Sequence, residues 1–245
     1  MENINEKWKT IWEKREIDAN AISDLDDIKN VFMELKRCDG FDVLAEGLSY
    51  EALYDQYLET KSRLFVKEDK YYTEKSVFEV GCGCGANLFL FERDGYKTGG
   101  ADYSKQLIDI AAQVLNSSDI SCCEAKDIAE TPQYDVCLSN SVFSYFPDYE
   151  YAWQVLSLMY DKARYSIGLI DIHDKARQHD FIEYRRRTVE NYEERYKDLH
   201  KFFYEREFFE KFAANHDMDI TFVESNMEGY WNNEFVFNCY LYKKG

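Results

Sequence analysis

Residues 77–85, with the sequence VFEVGCGCG, join a short apolar run to three glycines at every second position. The apolar run is typical of a buried strand, and glycine lets the backbone adopt positive φ angles and approach a ligand closely. The next residues, 86–93, have a helical pattern that stops at Gly95. The N-terminus of such a helix offers free N–H groups. The stretch therefore predicts a strand, a tight turn and a helix around a ligand.

Short apolar runs alternate with amphipathic helices after this turn. The pattern predicts further strands at 98–101, 120–123, 134–139, 165–170, 220–224 and 235–242, and helices at 104–115, 148–161 and 208–216. Alternation of this kind implies parallel strands with right-handed crossovers and helices on both faces of the sheet. The last two strands are separated by only ten residues, too few for a parallel crossover, so they are predicted to be antiparallel.

The first 70 residues have a helical pattern. Apolar residues recur at helical spacing from Ile4, from Ile28 after the cap residues Ser23-Asp24, and from Tyr50 after Ser49. No Pro-, Gly- or Ser-rich linker follows, so we expect residues 1–70 to form a lid on a domain at 71–245. Residues 174–206 exceed what the strand and helix pattern needs, and are expected to be a helical insertion on the substrate side.

Composition excludes several classes of function. The chain has 245 residues, a mass of 29.1 kDa and a formal charge of −17, which repels nucleic acid and anionic lipid. No stretch has the length and hydropathy of a membrane span or a signal peptide. Seven cysteines without a regular framework favour a reducing compartment, and none of their spacings predicts a metal site. We therefore expect a cytoplasmic protein without a metal; a monomer and a homodimer remain open.

Taken together, these motifs resemble the class I S-adenosylmethionine-dependent methyltransferases over about residues 50–243. The similar stretches, in chain order, are EVGCGCG at 79–85, GADYS at 100–104, AKDI at 125–128, YDVCLSNSVFSYF at 134–146 and the last strand FVFNCYLYK. The resemblance implies an α/β, Rossmann-like, doubly wound seven-stranded sheet with an antiparallel last strand. It also implies S-adenosyl-L-methionine as the cofactor.

The resemblance assigns cofactor contacts to residues in these motifs. Glu79 would accept a hydrogen bond from the amino group, Asp102 would take both ribose hydroxyls, and Asp127 would meet the adenine amino group. The full set of expected cofactor residues is Glu79, Gly81, Gly83, Gly85, Asp102, Tyr103, Asp127, Ile128, Asn140 and, from the lid, Tyr57. The alternative for Glu79 and Asp102 is that they only cap nearby backbone N–H groups.

The acceptor site is expected beyond the carboxyl ends of the parallel strands. A histidine titrates in the range useful to a base, so His200 is the first candidate for that role and His173 the second. Tyr204, expected on one helical face with His200, and Asp171, at a strand end, complete the expected catalytic set. The expected substrate-binding residues are Arg185, Tyr184, Tyr230, Trp231 and Asn232. Aromatic residues beside an arginine suit an acceptor with a flat or sugar face and an anionic group.

Several functions remain open on the sequence. The first hypothesis is a methyltransferase acting on a small molecule, with O-methylation of a sugar or a secondary metabolite preferred. N-methylation of a small amine is the alternative in the same class. From other classes, Gly81, Gly83 and Ala86 also fit the phosphate-binding turn of a nicotinamide-dependent oxidoreductase. A noncatalytic binding protein that keeps the cofactor fold is the remaining hypothesis.

Overall fold

A computed structural model describes residues 4–41, 48–67, 71–72, 74–197, 199 and 201–244. The helices are α1 (Ile4–Trp12), α2 (Ile28–Lys36), α3 (Tyr50–Leu64), α4 (Ala86–Arg93), α5 (Lys105–Val114), α6 (Tyr149–Lys162), α7 (Gln178–Thr188), α8 (Tyr192–Arg195) and α9 (Arg206–Asn215). The strands are β1 (Ser76–Val80), β2 (Lys97–Asp102), β3 (Ile120–Cys122), β4 (Tyr134–Asn140), β5 (Ala163–His173), β6 (Met218–Glu224) and β7 (Val236–Lys243).

The seven strands form one sheet in the order β3-β2-β1-β4-β5-β7-β6. The first five are parallel neighbours, and β7 pairs antiparallel with both β5 and β6. The predicted doubly wound seven-stranded sheet with an antiparallel last strand is confirmed. The strand order reverses between β1 and β4, which brings the carboxyl ends of β1, β2 and β4 together at a crevice.

Two apolar layers hold the sheet. Helices α2, α3, α4 and α5 pack on one face through residues such as Phe32, Leu53 and Phe89. Helices α6 and α9 pack on the other face through residues such as Met159 and Phe212. Successive strand residues point to opposite faces, so a strand buried on both sides must be apolar throughout. The core therefore fixes the strands rigidly beneath their carboxyl ends.

The structure corrects three local predictions. Helix α2 is capped by Asp27, whose carboxylate accepts from the N–H of Asn30, and not by Ser23-Asp24. Strand β5 runs to His173, three residues beyond its predicted end, because it pairs with β7. Residues 201–204 are extended and Tyr204 bridges to Asp174, so this segment is not helical.

Two segments outside the alternating strands and helices, the N-terminal segment and the insertion after β5, cover the edge of the sheet at the crevice. The turn 37–41, which follows α2, places Asp39 against the glycine turn. The insertion after β5 leaves at Asp174 and returns at Tyr204, where the N–H of Lys175 donates to the carbonyl of Tyr204 at 2.9 Å. Both additions therefore contribute side chains to the same end of the sheet.

Candidate functional site

A cavity of about 130 Å³ lies at the carboxyl ends of β1, β2 and β4. Its floor includes Gly81 and Gly83, which have φ angles of 72° and 55°. A Cβ atom on Gly81 would lie 2.3 Å from Val142, and one on Gly83 would lie 2.2 Å from Asp39 Oδ1. Both the backbone angle and the space exclude a larger residue, which is the physical reason for the predicted glycine turn.

Asp102 lies at the end of β2 on the wall of the cavity. Its Oδ2 accepts from the N–H of Gly83 at 3.0 Å, and its Oδ1 accepts from the N–H of Ser104 at 2.8 Å. Burial raises the pKa of Asp102 to about 6, although these backbone N–H groups oppose the shift. The carboxylate therefore braces the glycine turn, and its remaining lone pairs are available to a ligand in the cavity.

Glu79 presents a buried, unpartnered carboxylate oxygen. Its Oε1 accepts from Asn87 Nδ2 at 2.6 Å, while its Oε2 has no hydrogen-bond partner among the described residues. Burial raises the pKa of Glu79 to about 8. An orphaned acceptor in a cavity wall is costly unless a ligand donor satisfies it, so this oxygen fits the cationic amino group predicted for the site.

Lys36 brings the opposite charge to the same corner of the cavity. Its Nζ donates to Asn87 Oδ1 at 3.0 Å, so the Asn87 amide bridges Lys36 and Glu79. Burial lowers the pKa of Lys36, and the nearby acids Asp39 and Glu79 oppose that shift. A cation and a carboxylate held side by side match a zwitterion, the charge pattern of an amino-acid end group.

The opposite wall of the cavity includes Tyr103 and Glu124. Asp127, expected at the adenine, is exposed and its carboxylate pairs with Lys126 Nζ at 2.9 Å. Ile128 is buried in the sheet core. The short helical turn 125–127 directs Asp127 to solvent, so Glu124 is the acid of this segment that faces the cavity.

The N-terminal cover of the cavity comes from α1 and the turn after α2. Trp8 and Trp12 of α1 pack edge-on against Tyr145, with ring centroids 4.8 and 5.9 Å apart, and all three rings line the cavity. Tyr57 of α3 lies elsewhere. Its hydroxyl donates to Asp94 Oδ2 at 2.5 Å, at the C-terminal end of α4 and so opposite to the glycine turn. The prediction that Tyr57 contacts the cofactor is therefore wrong. Helix α3 packs against the face of the sheet and places Tyr57 away from the glycine turn.

Asp171 organises a buried polar cluster beside the cavity. Ser141 follows β4 directly and Asp171 lies two residues before the end of the neighbouring β5; their φ angles are positive, at 60° and 63°. Asp171 accepts from Ser141 Oγ at 2.9 Å and from the hydroxyl of Tyr230 at 3.1 Å. Asn232 Nδ2 lies 3.5 Å from the same carboxylate. Ser141 and its neighbour Asn140 line the cavity, so this cluster reaches the cavity through Ser141.

His173 is buried behind this cluster. Its ring packs between those of Phe181 and Phe203 at centroid distances of 5.0 and 5.1 Å. Its Nε2 lies 3.4 Å from Asn232 Nδ2, and its Nδ1 has no partner among the described residues. Burial, with Lys201 and Arg185 nearby, lowers the pKa of His173 well below its ordinary value. The imidazole is therefore neutral at pH 7.

The other expected catalytic residues are not gathered at the cavity. Tyr204 is fully buried and its hydroxyl donates to the carbonyl of Phe143 at 2.9 Å, which makes it a core residue. The prediction that Tyr204 shares a helical face with the base is wrong, because its segment is extended. His200 lies outside the described residues.

Three of the expected substrate-binding residues, Tyr184, Arg185 and Trp231, contact each other. The ring of Tyr184 stacks on that of Trp231 at 5.3 Å and 2°. Arg185 lies over the same Trp231 ring at 5.0 Å and donates to the hydroxyl of Tyr196 at 2.9 Å. Helix α7 of the insertion and the loop between β6 and β7 therefore build one aromatic wall with an arginine in it.

Sequence reasoning missed other residues of this region, among them Lys36, Asp39, Asn87, Glu124, Ser141, Tyr145 and Lys201. Of these, Ser141 and Tyr145 lie inside the stretch 134–146, which the sequence analysis had already singled out. Within the part of the chain that the structure describes, no three His, Cys, Asp or Glu side chains form a metal site. None of the described helices combines the length and hydropathy that a membrane span requires.

Comparison with known proteins finds one matching domain. Residues 78–164 match the model of a methyltransferase domain. No curated protein matches the chain in sequence.

Solved structures share the fold across most of the chain. The plantazolicin methyltransferase BpumL, in complex with a pentazolic desmethylPZN analog and SAH, has a TM-score of 0.60 and 18% identity over 98% of each chain. Magnesium protoporphyrin IX methyltransferase (ChlM) from Synechocystis PCC 6803, with bound SAM, has a TM-score of 0.58 and 14% identity over 89% of this chain and 98% of that one. A S-adenosylmethionine-dependent methyltransferase from Clostridium acetobutylicum has a TM-score of 0.58 and 12% identity over 86% and 98%. The chain therefore contains a stretch that matches a methyltransferase domain, within a fold that it shares with these S-adenosylmethionine-dependent methyltransferases.

Proposed function

We propose that this chain transfers a methyl group from S-adenosylmethionine to a hydroxyl of a small molecule, a sugar or a secondary metabolite. The observation that carries the cofactor half of the proposal is the orphaned Glu79 Oε2 beside the glycine turn. The cavity is lined by a carboxylate, a cation and a turn whose glycines leave the backbone accessible. These groups fit an amino-acid end group joined to a nucleoside.

The residues present suggest how the cofactor would be held. Glu79 would bind its ammonium group, Lys36 its carboxylate and Asp102 its ribose hydroxyls. When bound, S-adenosylmethionine supplies a methyl group already activated on a sulfonium. The protein then has mainly to align the acceptor, which contributes up to about 7 to 11 kcal/mol in well-oriented systems.

The acceptor half of the proposal is supported by the Asp171 cluster. A hydroxyl beside Ser141 would stand one hydrogen bond away from the Asp171 carboxylate. As the acceptor oxygen bonds to the methyl carbon and the bond from that carbon to sulfur breaks, the hydroxyl would pass its proton to Ser141 Oγ, and Ser141 would pass its own proton to Asp171. Burial raises the pKa of Asp171, which makes it a stronger proton acceptor than an exposed carboxylate. His173 is less suited to this role because burial lowers its pKa, which makes it a weaker base, and because it is not part of the cavity lining.

Binding and turnover are tested separately. Calorimetry with S-adenosylhomocysteine tests the cofactor site, with NAD and NADP as competing candidates. Mass spectrometry of a metabolite extract incubated with an isotopically labelled methyl donor then identifies the acceptor. Labelled product formed by the wild type but not by Asp171→Asn supports a hydroxyl acceptor. Full labelling by Asp171→Asn refutes the proposed role of Asp171.

The alternative hypotheses predict other outcomes. N-methylation of a small amine predicts a labelled amine and no need for the Asp171 carboxylate. The nicotinamide-dependent oxidoreductase predicts binding of NAD or NADP, and the matching methyltransferase domain argues against it. A noncatalytic binding protein predicts cofactor binding without any labelled product.

A further inference from the structure

Arg185 is a buried cation without a carboxylate partner among the described residues. Arg185 is 8% exposed, and its guanidinium contacts the Tyr196 hydroxyl and the rings of Tyr192, Tyr196 and Trp231. Its neighbour Arg186, by contrast, pairs with Glu183 and Glu193. A guanidinium has five N–H donors, and the tyrosine hydroxyl takes one. The arginine therefore retains donors for a ligand.

A second cation, Lys201, lies close by. Its Nζ donates to Ser144 Oγ at 3.1 Å and sits over the rings of Tyr145 and Trp8 at 3.4 and 5.2 Å. Those two rings line the cofactor cavity. Lys201 therefore lies beside the cavity, and near enough to Arg185 for the two charges to interact.

His173 adds a neutral donor to the two cations. With the Asn232 amide oriented so that Nδ2 donates to Nε2 of His173, the proton of the neutral imidazole stands on Nδ1. That Nδ1 is buried and has no partner among the described residues. Both Lys201 and Arg185 lie near enough to His173 to disfavour a charge on it. The histidine is thus suited to donate a hydrogen bond, not to accept a proton.

The cluster lacks negative charge. Among the described residues, Asp171 is the only acid whose charge acts on Lys201, while Arg185 acts against it. When Lys201 is protonated, it and Arg185 outnumber the one carboxylate, and a bound anion would stabilise this positive charge. The stacked rings of Tyr184 and Trp231 beside Arg185 add a flat apolar wall.

We propose that the methyl acceptor is an aromatic carboxylate whose anionic group binds Arg185, Lys201 and the Nδ1–H of His173. This inference rests on the proposed function and names its acceptor class. The ring would lie against Trp231, and a hydroxyl on it would face Ser141 and Asp171. Asp171 would repel the carboxylate of an acceptor bound in the reverse orientation. Charge therefore directs the carboxylate to Arg185 and the hydroxyl to Asp171.

The test uses the full chain with saturating S-adenosylhomocysteine and measures binding by calorimetry. The probes are 4-hydroxybenzoate, its uncharged counterpart 4-hydroxybenzyl alcohol, and inorganic phosphate. The variants are Arg185→Gln and Lys201→Gln, with Arg187→Gln as the matched control, since Arg187 is exposed on the same helix. We expect 4-hydroxybenzoate to bind the wild type and Arg187→Gln equally, and Arg185→Gln and Lys201→Gln at least about tenfold more weakly.

A second readout concerns the proton on Lys201. Burial and Arg185 lower the pKa of Lys201 to about 7, against the pull of Asp171. Tyr145, Ser144 and Trp8 are its other neighbours. An anion beside the amine raises its pKa, so at pH 8 binding should take up protons, seen by calorimetry in two buffers of different ionisation enthalpy. Lys201→Gln should lose this uptake.

The outcomes separate this inference from the proposed function. Equal binding of the acid and the alcohol, or equal binding by the wild type and Arg185→Gln, overturns the anion site. Binding of phosphate alone overturns the aromatic acceptor, and proton uptake retained in Lys201→Gln overturns the role of Lys201. The wild-type comparison of acid and alcohol stands even if a variant does not fold. Failure of S-adenosylhomocysteine to bind the wild type refutes the proposed function itself.

Discussion

Replacing Glu79 by Gln isolates the charge of the orphaned carboxylate. Gln has the same shape and keeps an oxygen that can accept from Asn87 Nδ2, the existing bond at 2.6 Å. It cannot ionise, so it loses the charge-assisted hydrogen bond to the cofactor's ammonium group. Such a bond contributes about 1.5 to 3 kcal/mol, so we expect S-adenosylhomocysteine to bind about 10- to 150-fold more weakly.

The same variant should lose a pH dependence. Burial raises the pKa of Glu79 to about 8 from its ordinary value of 4.5, so the carboxyl is mostly protonated below pH 8. The cationic ligand binds the ionised form, and wild-type affinity should therefore rise about 10-fold or more between pH 6 and pH 8. The affinity of Glu79→Gln should rise less over the same pH range. The rise that remains would come from ionisation of Asp102.

The assay is isothermal calorimetry from pH 6 to pH 8, with thermal unfolding as the check on folding. Because the folded-state pKa is raised, Glu79 favours folding below pH 4.5 and loses that contribution as the pH rises towards 8. Glu79→Gln should therefore melt at the same or a higher temperature than the wild type at pH 8. Glu51→Gln, at an exposed residue paired with Lys29, is the matched control. Unchanged affinity and an unchanged pH profile in a folded Glu79→Gln would refute the assignment.

Further substitutions test other parts of the site. Asp102→Ala should weaken S-adenosylhomocysteine by at least about tenfold in calorimetry, since two charge-assisted bonds of about 1.5 to 3 kcal/mol each are lost; equal affinity would remove Asp102 from the site. Gly83→Val should abolish binding, because its Cβ would lie 2.2 Å from Asp39 Oδ1 at a φ angle of 55°, and normal binding would make the turn purely structural. The depressed pKa of His173 means that its contribution to stability is present above pH 6.5 and is lost as the pH falls. A folded His173→Gln should therefore show a shallower loss of melting temperature from pH 7 to pH 5 than the wild type, and an identical slope would contradict this.

The sequence by itself determined the sheet and the glycine turn. Strands buried on both faces must be apolar throughout, and residues 77–85 can only turn as they do because the glycines accept positive φ. The ten residues between the last two strands excluded a parallel crossover, which fixed the antiparallel β7. These signals are local, since each depends on neighbours within one strand, turn or helix.

Only the tertiary structure decided which side chains complete the site. Lys36 meets Asn87 across 51 positions of sequence, and Asp39 meets the N–H of Cys84 across 45. In the segment 124–127 the acid that lines the cavity is Glu124 and not Asp127, because the short helical turn leaves Asp127 in solvent. The periodicity and spacing of residues in the sequence do not predict such contacts. The contacts arise only when separate helices and turns pack at the same edge of the sheet.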